Sequence, residues 1–339
     1  MFLYLIHYLC LLPLLNRAKK IEYYIFMAER RVHLIHLLSD LGANPAKPGA
    51  AKGPHTLMEL DKSGDQLFTQ WPLTIFTQQA TRSQQVLPYA KYIQPIYQFQ
   101  QEAVQKMEEI IVSGAFPFIM SGDHSNAAAT ISALKNIYTD KSLGVIWIDA
   151  HADMHSPYTT PSGNMHGMPL AICLGLDNLE HRRNIPDEET ILLWNQLKQM
   201  GSKKIGHKTD PQSLLLIDIR DLEPQETAYL NDYQIKHFTP SDRKAVGIQP
   251  IVKQTLAWAA NFDYIYVSFD IDSMDEQYVP GTGTPVADGM TPSEAILLLQ
   301  NLWQMDNLVG FEVTEVNPQI EAVRTPAQVY EVLSKMLKK

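Results

Sequence analysis

The chain has 339 residues, 45% of them apolar and 19% charged, with a formal net charge of −9. This is an ordinary globular composition with enough chain to bury a full core, and its acidic balance excludes a nucleic-acid binder, which needs a basic face. Two cysteines, Cys10 and Cys173, cannot make a disulfide framework, so a reducing, cytoplasmic setting is expected.

The chain opens with MFLYLIHYLCLLPLL, an apolar run followed by Arg17, Lys19 and Lys20. The run is short for a membrane span and lacks the basic residues that precede a signal peptide's apolar core. Residues 1–26 are read as an extension, with a short membrane anchor as the alternative, and one domain is expected over 27–339. From there, apolar runs predict strands at 32–38, 72–76, 116–120, 144–149, 214–219, 264–270 and 309–316. Helical patterns lie between them at 98–113, 125–138, 187–200, 247–261, 292–304 and 326–338. Thr291 before Pro292 and Thr325 before Pro326 read as caps with proline at the first helical position. This alternation predicts an α/β fold with a mostly parallel sheet covered on both faces. Gly/Pro-rich pieces at 42–54 and 280–292 follow strands, where ligands bind in open α/β sheets.

The stretch GVIWIDAHADMHSP brings Asp149, His151 and Asp153 to the end of one such strand. Alternate residues of a strand point the same way, so these groups converge if the chain stays extended beyond the strand. YVSFDIDSMD places Asp270 and Asp272 two apart, and FPFIM runs into SGDHS with Asp123 and His124. Either Asp123 or Ser125 also fits a helix N-cap. Four carboxylates in one cleft cannot all stay ionised without cations. Asp149, Asp153, Asp270 and Asp272 with His124 and His151 therefore read as a dinuclear metal site. Its oxygen-rich, thiolate-free ligand set favours Mn²⁺, with Co²⁺ or Fe²⁺ as alternatives. Two such metals can lower the pKa of a bridging water and supply hydroxide near pH 7.

The motifs SGDHS, DAHAD, SFDIDSMDEQYVPGTGTPV and FEVTEVNP stand in the order found in the arginase/agmatinase (ureohydrolase) family, which the chain resembles from about residue 32 onward. That resemblance implies a three-layer α/β/α fold, a pair of Mn²⁺ ions and hydrolysis of a guanidinium carbon with release of urea. It also implies that one metal takes His124, Asp149, Asp153 and Asp270, and the other Asp149, His151, Asp270 and Asp272. The segment HSPYTTPSGNMHGMP resembles the arginase branch more than agmatinases. There Thr160, Ser162 and Asn164 would meet the substrate's α-carboxylate, and His166 would shuttle protons. Glu315 would hold the guanidinium, and Glu312, three residues earlier, would face the other way as a structural residue. Two departures stand out: His155 where arginases usually carry Asn, and Glu223 where they usually carry Asp, with Glu226 following.

On this resemblance the expected reaction is L-arginine to L-ornithine and urea, by attack of a hydroxide bridging two metals. Asp153 would take its proton and His166 would protonate the departing amine. An agmatinase, or a hydrolase of another guanidino or formimino acid, is the alternative. A single-zinc deacetylase on a related fold lacks the six-ligand set, and a non-catalytic metal-binding protein would not need the shuttle histidine. The expected partner is a small guanidino substrate, and the family suggests a homotrimer or homohexamer.

Overall fold

The computed structural model describes residues 30–82 and 86–338. The extension expected over residues 1–26 lies outside them. The strands are β1 (Val32–Leu38), β2 (Leu73–Thr77), β3 (Phe116–Ser121), β4 (Leu143–Ile148), β5 (Leu214–Ile217), β6 (Lys236–Phe238), β7 (Tyr264–Asp270) and β8 (Leu308–Thr314). The α-helices are α1 (Gly53–Ser63), α2 (Ile93–Val112), α3 (Ala127–Ile137), α4 (Pro169–Leu174), α5 (Glu188–Leu197), α6 (Pro224–Asp232), α7 (Pro240–Val246), α8 (Ile248–Ala259), α9 (Pro292–Trp303) and α10 (Arg324–Leu337). One sheet holds the strands in the order β2-β1-β3-β8-β7-β4-β5-β6, and every neighbouring pair is parallel.

Helices cover both faces, so central strands are buried along their whole length, as in β3, β4 and β5. Side-chain alternation sorts β4 between two cores. Val145 and Trp147 pack with residues of α2 and α3, while Ile146 and Ile148 pack with residues of α8, α9 and α10. Fully burying an apolar side chain contributes roughly 1.5–3 kcal/mol, so these two layers hold the sheet rigid beneath its loops. Among the described residues no helix is long and apolar enough to cross a membrane.

All seven predicted strands form, with ends within two residues of those expected. The six predicted helices form as well, though α2 begins at Ile93 rather than 98, because Pro95 falls in its first turn and breaks the apparent pattern. The cap reading at Thr291 holds: its hydroxyl accepts from the Glu294 amide, and the Glu294 carboxylate accepts from the Thr291 amide. The cap reading at Thr325 does not. The α10 helix begins at Arg324, and Glu321 does the capping. Its Oε1 accepts from the amides of Val323 and Arg324, and its Oε2 from that of Thr325. A carboxylate with two oxygens can serve three amides, which one hydroxyl cannot. Thr325 Oγ1 instead accepts from the Gly281 amide at 2.8 Å.

Candidate metal centre and substrate pocket

β3, β8, β7 and β4 are successive neighbours, and their carboxyl ends open onto one edge of the sheet. The chain leaves β3 through α3 and re-enters at β4, with β7 and β8 later filling the gap. Such a crevice at the carboxyl ends is where open α/β sheets bind ligands. Asp123 and His124 follow β3, Asp149 to Asp153 follow β4, Asp270 ends β7, and Glu315 follows β8.

The N-cap reading of SGDHS holds at Asp123. Asp123 is the N-cap of a short 3₁₀ turn, accepting from the Ser125 amide at 2.8 Å, and its other oxygen accepts from the Gly42 amide at 2.8 Å. The turn aims the His124 ring inward. Its Nδ1 stands 3.0 Å from Asp149 Oδ2, 3.1 Å from Asp153 Oδ2 and 3.1 Å from Asp270 Oδ2. His124 Nε2 lies 2.8 Å from Ser268 Oγ, and the ring stacks on Trp147 with centroids 3.9 Å apart. These two contacts fix its orientation, as outer partners of metal-binding histidines do. A second group forms beside the first: His151 Nδ1 lies 3.3 Å from Asp149 Oδ1 and 3.2 Å from Asp272 Oδ2. Asp149 therefore offers one oxygen to each group. Asp270 turns Oδ2 toward His124, while its Oδ1 accepts from the Asp272 amide at 2.9 Å, as Asp149 Oδ1 does from the His151 amide at 2.7 Å.

The acids do not converge by extended geometry. β4 ends at Ile148, and Asp153 sits in the left-handed region with φ 52°. Glu315 is left-handed too, with φ 68°. Non-glycine residues held there are strained by about 1–3 kcal/mol, and such residues cluster at functional sites.

The residues present fit a cation pair. Burial and the neighbouring Asp272 push Asp270 well above the usual carboxylate range, and burial with Asp149 pushes Asp153 up to about 6. Burial lowers the imidazoles of His124 and His151, but their carboxylate partners outweigh it and raise both. Each of these shifts marks a cluster that binds extra positive charge. His124 Nδ1 and Asp149 Oδ2 are buried with no hydrogen-bond partner, although other ligand atoms crowd them. Two cations placed among the two groups would satisfy those atoms.

Beside this centre lies a cavity of about 220 Å³. Its lining includes His124, His151, Asp153 and Asp270 together with His155, Thr160, Ser162, Asn164, His166, Glu223 and Glu226. Asp149, Asp272 and Glu315 are buried and do not line it. His166 Nδ1 stands 3.1 Å from Glu315 Oε1, which also accepts from the His124 amide at 3.0 Å. Burial lowers the His166 imidazole, but Glu315 raises it more. Glu315 Oε2 is buried and has no partner. Thr160 Oγ1 accepts from the Gly163 amide at 2.9 Å, and Ser162 Oγ from the Asn164 amide at 3.1 Å. Both hydroxyl hydrogens stay free to donate. Glu312 faces the other way, as expected: Thr130 and Tyr266 donate to its Oε2 at 2.6 and 2.7 Å.

His155 lines the cavity beside Glu223 and Glu226. It is nine-tenths buried or more, with Nδ1 3.2 Å from Thr159 Oγ1 and Nε2 3.1 Å from Glu223 Oε2 and 3.7 Å from Glu226 Oε2. Both ring nitrogens already have partners, so the carboxylates it meets are the protein's own. The contact with His155 holds Glu223 down to about 2, while burial pushes Glu226 up to about 8.

Sequence reasoning missed several supporting residues. Ser268 and Thr284 lie inside the long SFDIDSMDEQYVPGTGTPV motif, but only the fold shows Thr284 Oγ1 3.0 Å from Asp272 Oδ2. Asp221, 3.6 Å from His151 Nε2, is another. Arg220 ties three loops together, donating to the carbonyls of Asp218, Asp272, Val286 and Ala287 at 2.6–3.0 Å.

Fold and side-chain clusters together define a three-layer α/β/α protein with two adjacent candidate cation sites at the carboxyl edge of its sheet. The particular family follows from comparison. The chain belongs to the arginase family, whose sequence profile matches residues 31–338, and members are hydrolases of C–N bonds in linear amidines. It is 35% identical over 223 residues to the arginase of Staphylococcus aureus, covering 65% of this chain and 67% of that one. It is 36% identical over 213 residues to the arginase of Emericella nidulans, covering 62% of this chain and 61% of the relative. Among solved structures, an Entamoeba histolytica arginase in complex with L-ornithine superposes with a TM-score of 0.79 at 25% identity, covering 91% of this chain and 99% of that one.

Proposed function

We propose that this chain hydrolyses L-arginine to L-ornithine and urea, with two divalent cations held by His124, Asp149, Asp153, Asp270, His151 and Asp272. The single observation that carries the guanidino substrate is Glu315 Oε2, a buried carboxylate oxygen with no partner, on the residue whose Oε1 meets the cavity-lining His166. A guanidinium N–H is the donor that suits it, and charge strengthens the bond. The arginase names of the relatives and the L-ornithine bound to the Entamoeba histolytica enzyme support the same reading.

The metal pair, when bound, lowers the pKa of water and so supplies a nucleophile near pH 7. The chain's own residues do the rest. Glu315 receives and orients the guanidinium. Asp153 takes the proton of the attacking water as its oxygen adds to the guanidinium carbon. His166 gives its Nδ1–H to Glu315, which leaves Nε2 to protonate the departing amine when the C–N bond breaks. Thr160, Ser162 and Asn164 donate to the α-carboxylate. Glu223 and Glu226 receive the α-ammonium, and His155 holds Glu223 in place.

Mn²⁺ is the metal this ligand set favours, with Co²⁺ and Fe²⁺ next. A cytoplasmic setting is supported by the free, buried Cys173, and a trimer or hexamer by the family. The test is urea release by Mn²⁺-loaded protein with L-arginine and agmatine side by side. Turnover of L-arginine at least tenfold faster supports the reading, and faster turnover of agmatine would overturn it.

A further inference from the structure

The part of the cavity lined by Ser162 and Asn164 is backed by a segment with no motif of its own. Residues 87–92 run directly behind the loop that carries Ser162 and Asn164. Gly163 has φ +75°, and a Cβ there would stand 2.0 Å from the Pro88 carbonyl oxygen, so the two backbones touch. The Lys91 amide donates to the Gly163 carbonyl at 2.8 Å. The Lys91 side chain then reaches round, and Nζ donates to Asn164 Oδ1 at 3.0 Å. Asn164 is itself mostly buried and lines the cavity, whereas Lys91 is not among the lining residues.

An ammonium carries three donors and no acceptor, so it can hold an amide only by its oxygen. That settles which way the Asn164 amide faces. With Oδ1 bound to Lys91, the Nδ2 hydrogens are left for the cavity. The opposite orientation would turn an acceptor toward a carboxylate and lose the bond to Nζ. We propose that Lys91 is a positioning residue for substrate recognition: it fixes the Asn164 amide so that Nδ2 meets the substrate's α-carboxylate. The proposal rests on the reading of an α-amino acid substrate. Lys91 acts through Asn164, remote from the guanidinium, so its contribution falls on binding of the tail and not on the chemical step.

The test compares wild type with Lys91→Met, which keeps the stem and removes the ammonium. KM and kcat are measured with L-arginine. Binding of L-ornithine and of putrescine, which lacks the carboxylate, is measured by calorimetry on the metal-loaded proteins. The expected result is a rise of about tenfold to a hundredfold in KM for L-arginine and in Kd for L-ornithine, the size of one hydrogen bond to a charged group. The kcat and the Kd for putrescine should stay within twofold of wild type, and Lys91→Arg should recover part of the loss. Unchanged ornithine binding, equal weakening of ornithine and putrescine, or no ornithine binding by wild type would each overturn the proposal. Wild-type protein that binds ornithine but releases no urea from L-arginine would fault the reading of the reaction alone.

Discussion

Glu315→Gln tests the guanidinium site most directly. Glu315 Oε1 already accepts from the His124 amide at 3.0 Å and from His166 Nδ1 at 3.1 Å. In the variant those two donors hold the new amide's oxygen at the Oε1 position. The NH₂ group must then occupy the place of Oε2, which is buried and without a protein partner. The guanidinium would meet a donor where it now meets a negatively charged acceptor. Losing a hydrogen bond to a charged group, and facing two donors in a dry site, together cost about 3–4 kcal/mol. At about 1.4 kcal/mol per tenfold, kcat/KM for L-arginine falls about 10²–10³-fold. The assay is urea release at saturating metal, with metal content and melting temperature matched to wild type. Activity within tenfold of wild type at full metal occupancy would refute the reasoning, because another group must then hold the guanidinium.

Asp149→Asn leaves one oxygen where two are now shared between His124 and His151. Bound metal should fall from two to one or fewer per chain by elemental analysis. Urea release should drop more than about 100-fold, beyond the loss typical of an outer partner; two retained metals with near-normal activity would contradict the assignment. Glu321→Ala removes the acceptor for three amides at the start of α10 and should cost about 1–2 kcal/mol, a fall of about 2–4 °C in Tm with kcat unchanged. Lys208 is fully buried, its Nζ donates to the Lys198 carbonyl at 2.7 Å, and burial lowers its pKa from 10.5 to about 8. The unfolded lysine then holds more protons than the folded one between about 8 and 10.5, so wild-type stability rises with pH across that window. Lys208→Met should be more stable than wild type at pH 7 by calorimetry, and the gap should narrow as pH approaches 10; a gap that ignores pH would rule the argument out.

The strands were legible because burial on both faces leaves near-continuous apolar runs, and a run such as FPFIM admits few other readings. β6 was not, since three residues at a sheet edge, the first of them the exposed Lys236, leave no such run. The α4 helix was missed for the opposite reason: all six of its residues are buried, so it shows no polar face and no period. Pro54, Pro224 and Pro240 sit in the first turns of α1, α6 and α7, where proline-marked turns hid short helices. The six metal-ligand candidates could be named because strand ends deliver them in short motifs. How they converge could not, since it depends on left-handed backbone at Asp153 and on a capped turn before His124. The His155–Glu223 contact joins residues 68 apart in the chain, and no local pattern announces it.

The Arg220 guanidinium holds carbonyls from the loop after β5, the loop after β7 and the 280–292 piece at once. Those loops carry Glu223, Asp272 and Thr284, so one side chain sets the distance between the proposed seat of the amino-acid tail and the proposed seat of a metal. The cavity is thus a gauge of fixed span. A substrate shorter or longer by one methylene would have to misplace either its α-ammonium or its guanidinium carbon, because the two walls cannot shift independently to accommodate it.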